Sequence, residues 1–258
     1  MQEELKVALV QANQIWEDKQ ANFAQYTEMI SDVEADLFLC PEMFHTGFSM
    51  NATVLAEDWE TSEGMVYLKQ IAQQKNSACY TSLIIKENNQ YRNRAVFVEP
   101  NGSVTYYDKR KTFGLAGEDK IYTPGTEQVV KEYKGWRFLL QICYDLRFPE
   151  IQLNHLQDNR PLYDVLLTIA NWPERRNVHW KALLPARAIE NQAYVCATNR
   201  VGKDATDLIY SGDSTIIDAL GNHLVSASYE ACVLTTTLSA SKLQEARQKL
   251  PFLKDRSL

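Results

Sequence analysis

Three short stretches of this sequence put a reactive side chain just beyond a run of apolar residues. Asp36-Leu37-Phe38-Leu39-Cys40 leads into Pro41-Glu42, Phe138-Leu139-Leu140-Gln141-Ile142 into Cys143-Tyr144-Asp145, and Val104-Thr105-Tyr106-Tyr107 into Asp108-Lys109. A carboxylate, a thiol and an ammonium are the parts of an acyl-transfer site: a base, a nucleophile and a cation for the oxyanion. Taken singly, each has an ordinary reading, as a solvated glutamate, a structural cysteine and a basic loop. The neighbours argue for more. Glu42 lies among Leu39, Cys40, Pro41, Met43, Phe44 and Phe48, and a carboxyl group in that setting has a raised pKa and works as a base near neutral pH. At Cys143 the sequence turns abruptly from apolar to charged, through Tyr144-Asp145-Leu146-Arg147-Phe148-Pro149-Glu150, which suits a turn that exposes the sulfur. A free thiol titrates at about 8.5, so it needs a base or a cation to act at neutral pH.

Other chemistries leave no mark. There is no GxSxG, GxGxxG, GxxxxGK[ST] or HExxH pattern. His45, His155, His179 and His223 are scattered and make no metal-ligand spacing. His45 follows Glu42 by three residues, which keeps a Cys–His pair open as an alternative. The five cysteines, Cys40, Cys79, Cys143, Cys196 and Cys232, are odd in number, widely spaced and without a CxxC. Neither a disulfide framework nor a zinc site is expected, and Cys40, Cys79, Cys196 and Cys232 read as small buried apolar residues in a reducing, cytoplasmic protein. The net charge of −6 gives no bulk attraction for nucleic acid or anionic lipid. Any anionic substrate must therefore be held by local cations. Met1-Gln2-Glu3-Glu4-Leu5 is no signal peptide, and no window reaches the roughly eighteen apolar residues of a membrane span.

The elements that must position these groups alternate in type. Residues 6–11 read as a buried strand, and 17–31 as a helix with Phe23, Tyr26, Ile30 and Val33 at helical spacing. Residues 36–40 form a short strand stopped by Pro41. Ser62 is the expected N-cap of a helix over 63–75 with Val66 and Ile71 inward. Strands follow at 78–86 and 94–99, and Pro100-Asn101-Gly102-Ser103 turns the chain back into 104–107. Further strands are expected at 137–143, 164–170 and 194–199. Residues 176–191 read as a helix that Pro185 should kink or shift, and 214–238 as a closing meander with a turn at Gly221-Asn222. No repeat or linker divides the chain. The expectation is one α/β domain over 1–258, with a mixed sheet, helices outside, and a terminal extension from about residue 240. Open α/β sheets place sites beyond the carboxyl ends of their strands, where all three reactive side chains fall.

With these segments in order, the chain resembles the carbon–nitrogen hydrolases of the nitrilase superfamily. The matching stretches are FLCPEMFHTGFSM (38–50), YYDKRKTFGLAGE (106–118), LLQICYDLRFPE (139–150) and ANWPERRNVHWKALLPARAIENQAYVCATNRVG (170–202). Together they cover nearly the whole chain, and PEMFHTGFSM and ANWPERR look most like the omega-amidase group. The resemblance implies an αββα sandwich, usually paired as a homodimer. It implies Glu42 as general base, Lys109 as oxyanion-stabilising cation, Cys143 as nucleophile and the backbone N–H of Tyr144 as second oxyanion donor. Glu118 matches an additional glutamate that orients the lysine, with Asp119 beside it leaving the register open by one residue. Two departures stand out: Lys111 where many relatives carry His, and Pro185 where many carry a helix former.

The implied chemistry is hydrolysis of a small linear amide through a thioester, without metal or organic cofactor, on the terminal amide of 2-oxoglutaramate or 2-oxosuccinamate. A substrate carboxylate would need a cation. Arg175 and Arg176, just past Asn171-Trp172-Pro173, are candidates for that fork, and two solvated loop arginines are the equal alternative. Phe113, Trp172, Tyr144 and Arg147 are further candidates for the pocket wall. Nitrile, carbamoyl-amide and aliphatic amide substrates share the same triad and stay open, as does a non-catalytic binding module on the same fold.

Overall fold

Alternate residues of the first strand face two different partners, and that division sets the architecture. The structure is a computed structural model describing residues 1–256. The chain lays down β1 (Glu4–Gln11), helix α1 (Lys19–Ile30), β2 (Leu37–Leu39), the short helix α2 (Ala52–Leu55), β3 (Glu57–Asp58), helix α3 (Glu63–Lys75), β4 (Ala78–Glu87), β5 (Gln90–Val98), β6 (Val104–Asp108) and the single-turn helix α4 (Glu118–Ile121). The second half gives β7 (Val130–Tyr133), β8 (Trp136–Ile142), the two-residue strands β9 (Leu156–Gln157) and β10 (Arg160–Pro161), β11 (Val165–Ala170), helix α5 (Asn177–Asn191), β12 (Tyr194–Asn199), β13 (Val201–Lys203), β14 (Ile209–Ile217), β15 (His223–Ser228), β16 (Cys232–Ser239) and helix α6 (Ala240–Lys249).

Two mixed sheets form, as the resemblance to an αββα sandwich implies, where the element order alone suggested one. The first runs β16-β1-β2-β4-β5-β6, with β3 beside β4, and the second runs β13-β14-β12-β11-β8-β7, with β15 beside β14. Strands buried on both faces read as continuous apolar runs, and period two then assigns each side. Ala8, Val10, Phe38, Cys79, Leu83, Val96 and Val98 pack outward against Tyr26 and Ile30 of α1 and Met65, Leu68, Ile71 and Ala72 of α3. Leu5, Val7, Leu9, Leu39, Tyr80, Phe97 and Tyr107 instead share one core with residues of the second sheet such as Phe138 and Leu140. Trp180, Leu184 and Ala188 of α5 and Leu243 and Ala246 of α6 join that core. The result is a sandwich of helices, sheet, sheet and helices. No helix among the described residues is long and apolar enough to cross a membrane.

Several expectations change. The Ser62 cap forms, its side chain accepting the Met65 N–H, but Val66 lies 52% exposed. Met65, Leu68, Ile71 and Ala72 make the buried stripe, and Val66 stands one step round the helix from it. The closing meander is broken. β14 and β15 pair as a hairpin of the second sheet, whereas β16 crosses over and pairs antiparallel with β1, Glu4 opposite Ser239. Helix α5 continues through Pro185 to Asn191; the missing backbone bond there, typically about 3 kcal/mol, is offset by burial of Trp180, Leu184 and Ala188. The stretch from residue 240 begins as helix α6, capped by Ser239 and bonded to the second layer through Arg247, whose guanidinium meets Asp164 at 2.8 Å. Residues 257 and 258 lie outside the described residues.

The parallel arrangement of β1, β2 and β4, and of β8, β11 and β12, sends their carboxyl ends the same way within each sheet. Glu42 follows β2, Cys143 follows β8, Asn171 follows β11 and Lys109 follows β6.

Candidate active site

At the end of β2 the chain makes a tight turn in which Met43 takes a left-handed φ of 46°. Two side-chain hydroxyls of β4 hold the turn: Thr81 Oγ1 donates to the Pro41 carbonyl (2.7 Å), and Ser82 Oγ accepts the Met43 N–H (2.8 Å). Glu42 is thereby fully buried. Its Oε1 accepts from Lys109 Nζ at 2.7 Å and from Asn93 Nδ2 at 2.8 Å, and its Oε2 accepts the Asn171 N–H at 3.0 Å. Its own carbonyl receives the Asn171 side-chain amide at 2.6 Å.

Lys109 is the buried cation of this cluster. Its ammonium donates to Glu42 and, at 2.9 Å, to both oxygens of Glu118, and it lies 5.1 Å from the centre of the Phe48 ring. Burial pulls the lysine pKa down, but the charges of Glu118 and Glu42 outweigh it and hold it well above the ordinary value. The register beside it is Glu118: this side chain is buried and also accepts the Phe113 N–H at 2.5 Å, whereas Asp119 is exposed. Burial raises the Glu118 carboxyl despite Lys109, and the charge of Glu42 acts in the same direction. Lys111 turns away from the cluster, to Glu150 (3.1 Å) and the Phe148 ring (4.5 Å).

Cys143 opens a helical turn, Cys143–Arg147, with φ of +45°. A non-glycine residue in that region stores strain that only a well-determined surrounding maintains. Here the surrounding is Asp145, fully buried, which accepts the Ile142 N–H (3.0 Å), the Tyr107 hydroxyl (2.8 Å) and the Lys111 N–H (2.9 Å). Burial raises the Asp145 carboxyl to about 6. The Cys143 thiol is 4.0 Å from the Asn171 carbonyl. Burial pushes this thiol well above its ordinary pKa, the charge of Glu42 adds to the effect, and Lys109 opposes it. The resting sulfur is thereby biased toward its thiol form. Tyr144 stands second in the same turn, where backbone N–H groups have no intrahelical acceptor.

Cys143 lines a cavity of about 400 Å³ together with Phe113, Tyr144, Asn171, Trp172, Tyr210 and the arginines Arg147, Arg175 and Arg176. Aromatic faces hold two of the guanidiniums, Arg147 at 4.5 Å over Trp172 and Arg176 at 4.9 Å over Phe113. Arg175 is exposed. Among the described residues none of the three is ion-paired. Trp172 is clamped by Asn199, which accepts its N–H (2.7 Å) and donates to its carbonyl (2.9 Å). His45 lies apart from this cavity. Its Nε2 faces Glu57 at 3.1 Å and its ring stacks on Phe44 and Phe23, so the structure gives it no pairing with Cys143.

All four residues expected to do chemistry thus converge, and every expected wall residue lines the cavity. Asn93, Asn171, Asp145 and Asn199 were not anticipated as part of the site. Asn171 and Asp145 stand inside the quoted segments, at strand and turn ends, and that position was their one sequence signal. Asn93, inside β5, gave none.

The arrangement sets a thiol that lines the cavity beside a buried carboxylate and a buried cation. The carbon-nitrogen hydrolase family model matches residues 6–248. The chain is 39% identical to omega-amidase YafV of Escherichia coli, across 97% of this chain and 96% of that protein. It is 33% identical to a 2-oxoglutaramate amidase of Paenarthrobacter nicotinovorans, across 98% and 90%. Among solved structures, XC1258 from Xanthomonas campestris, a CN-hydrolase superfamily protein with an arsenic adduct in its active site, superposes with a TM-score of 0.96 at 37% identity, covering 99% of this chain and 98% of that one. A match over so much of the sequence, on a fold and a residue cluster of this kind, means that the chain belongs to the carbon–nitrogen hydrolase family.

Proposed function

We propose that this protein is an omega-amidase that releases ammonia from the terminal amide of a small 2-oxo acid amide, 2-oxoglutaramate or 2-oxosuccinamate, through a thioester on Cys143. The observation that carries the substrate class is the set of three guanidiniums, Arg147, Arg175 and Arg176, around the cavity that contains the thiol; among the described residues none is paired with a carboxylate, and Arg147 hydrogen-bonds only the His179 ring, at 3.1 Å. Such a set is complementary to a carboxylate. The relatives named omega-amidase and 2-oxoglutaramate amidase support the same class.

In this reading Glu42 takes the proton from Cys143 as the sulfur attacks the amide carbonyl. The carbon–sulfur bond forms, and the carbonyl electron pair moves onto oxygen. Lys109 Nζ and the Tyr144 N–H stabilise that oxyanion; loss of one such donor typically costs about 10² to 10³ in rate. The oxyanion collapses, the carbon–nitrogen bond breaks, and Glu42 returns the proton to the leaving nitrogen, which departs as ammonia. Water then enters, Glu42 takes one of its protons, and the hydroxide adds to the thioester. Collapse expels the sulfur, which recovers its proton from Glu42, and the free acid leaves. Glu118 supports the cycle by holding Lys109, and Asn93 by donating to both Glu42 and Glu118. Phe113, Trp172, Tyr144, Arg175 and Arg176 form the substrate contacts. A cytoplasmic location, supported by the five free cysteines, and a homodimer, implied by the family resemblance alone, complete the reading.

The test is ammonia release from 2-oxoglutaramate, 2-oxosuccinamate and the neutral pentanamide, with Cys143→Ala as control. Release from the 2-oxo acid amides by the unmodified enzyme alone supports the reading. Release only from pentanamide, a nitrile or a carbamoyl compound moves the assignment to that substrate. Full turnover by Cys143→Ala overturns the mechanism.

A further inference from the structure

The turn that carries the cavity arginines has the sequence Pro173-Glu174-Arg175-Arg176. It brings its own carboxylate next to the two cations. A free Glu174 would compete with a substrate carboxylate for them. The structure shows this side chain engaged elsewhere: Tyr229, in the link between β15 and β16, donates its hydroxyl to Glu174 Oε1 at 2.8 Å. Among the described residues, no ion pair joins Glu174 to Arg175 or Arg176.

Tyr229 is held for this contact at a cost. Its φ is +65°, a region that an aromatic L-residue adopts only when its surroundings impose it. The Tyr229 N–H donates to the Ser211 carbonyl at 2.7 Å. The next carbonyl, of Glu230, accepts Gln11 Nε2 at 2.9 Å, and Gln11 Oε1 in turn accepts the Ser214 N–H at 3.0 Å. Gln11 is fully buried. A strained, exposed tyrosine is thus anchored to the interior, with its hydroxyl directed at the one carboxylate of the arginine turn.

We infer that Tyr229 is a specificity-determining positioning residue: it diverts Glu174 from Arg175 and Arg176 and so keeps both arginines free for the carboxylate of an anionic substrate. The inference rests on the proposed anionic-substrate reading. It concerns binding alone, since Tyr229 touches neither Cys143 nor Glu42.

Glutarate serves as the probe, because its binding can be measured without turnover. Calorimetric Kd values would be compared for the unmodified enzyme, Tyr229→Phe, Glu174→Gln and the double variant. Tyr229→Phe is expected to weaken glutarate by about two- to fivefold, the scale of one exposed ion pair. Glu174→Gln alone is expected to bind at least as tightly as the unmodified enzyme. In the double variant binding should recover, because the turn no longer carries a carboxylate of its own beside the two arginines; Asp204, which also lines the cavity, is unchanged throughout the series. With 2-oxoglutaramate the loss should appear in KM and leave kcat unchanged. Unaltered binding by Tyr229→Phe overturns the inference. So does a double variant as weak as Tyr229→Phe, which would make Tyr229 a mere tether of the turn. Absence of glutarate binding to the unmodified enzyme also overturns it. The substrate reading fails separately, if the unmodified enzyme releases no ammonia from 2-oxoglutaramate.

Discussion

The carboxylate of Asp145 accepts the backbone N–H of Lys111 at 2.9 Å, and so the turn that presents Cys143 is bonded to the loop that presents Lys109. The same group holds Ile142 and Tyr107. Asp145→Ala leaves three donors without an acceptor in the interior, at about 1–3 kcal/mol each. We expect a loss of at least about 3 kcal/mol in urea melts, and a fall of about 10²-fold in kcat as the Cys143 turn and the Lys109 loop drift apart.

Asp145 also gives a pH signature. Its carboxyl is raised to about 6 in the fold, by burial, against about 3.9 in an unfolded chain. The native state therefore holds this proton more tightly. The stabilisation from this group is fully present below about pH 4 and is lost as pH rises through 6, on the order of 3 kcal/mol at most. Unfolding free energies of the unmodified protein and Asp145→Asn, measured from pH 4 to 7, should diverge with that sign.

Glu57 works in the opposite direction. Burial raises its pKa, but hydrogen bonds and charge from His45, and bonds from Lys19 and Ser62, bring it down to about 2. The stability it contributes is present above its unfolded value of about 4.3 and is lost as pH falls towards 2, again on the order of 3 kcal/mol. Glu57→Gln should flatten the acid limb of the stability curve below pH 4.5. An acid limb unchanged in the variant would refute the assignment.

Among the described residues Lys109 is the only cation bonded to Glu42 and Glu118. Lys109→Met leaves two buried carboxylates facing one another, and removal of one partner from a buried pair typically costs about 3–5 kcal/mol. Stability should recover in part when Glu118→Gln is added, while ammonia release should stay about 10²- to 10³-fold down because the proposed oxyanion donor is still missing. Thermal melts and turnover on the two variants separate these effects.

The raised Cys143 thiol predicts slow alkylation of the resting enzyme. Iodoacetamide labelling of the Cys143 peptide, followed by mass spectrometry, should still be rising at pH 9, because the thiolate is scarce below that. A plateau near pH 7 would mean a pre-formed thiolate and a different first step.

Much of the site was legible because its reactive groups are local to strand ends. Glu42, Lys109 and Cys143 each follow an apolar run by one to three residues, so one pass along the sequence finds them. The groups that hold them were not legible in the same way. Asn93 reaches Glu42 across 51 residues and Asn171 reaches it across 129, through strand neighbours that no local pattern specifies. The α/β class was readable from alternating strands and helices and the two-sheet sandwich from the family resemblance, but the sheet each closing strand joins was not: β15 and β16 look alike in sequence and join different sheets. Val66 failed for a smaller reason, since an apolar residue one step off the buried stripe carries the same letter as one on it.

The partnership of β1 with β16 sets a timetable for synthesis. β1 is made before every other strand of the two sheets, but its outer neighbour follows only after both sheets' other strands have been made. Until then Leu5, Val7 and Leu9 lie on a strand with one unpaired edge, open to any other strand nearby. A nascent chain stalled before residue 232 should therefore be prone to aggregation although every group of the catalytic cluster has already been translated, and release of the last strand is the step that seals it.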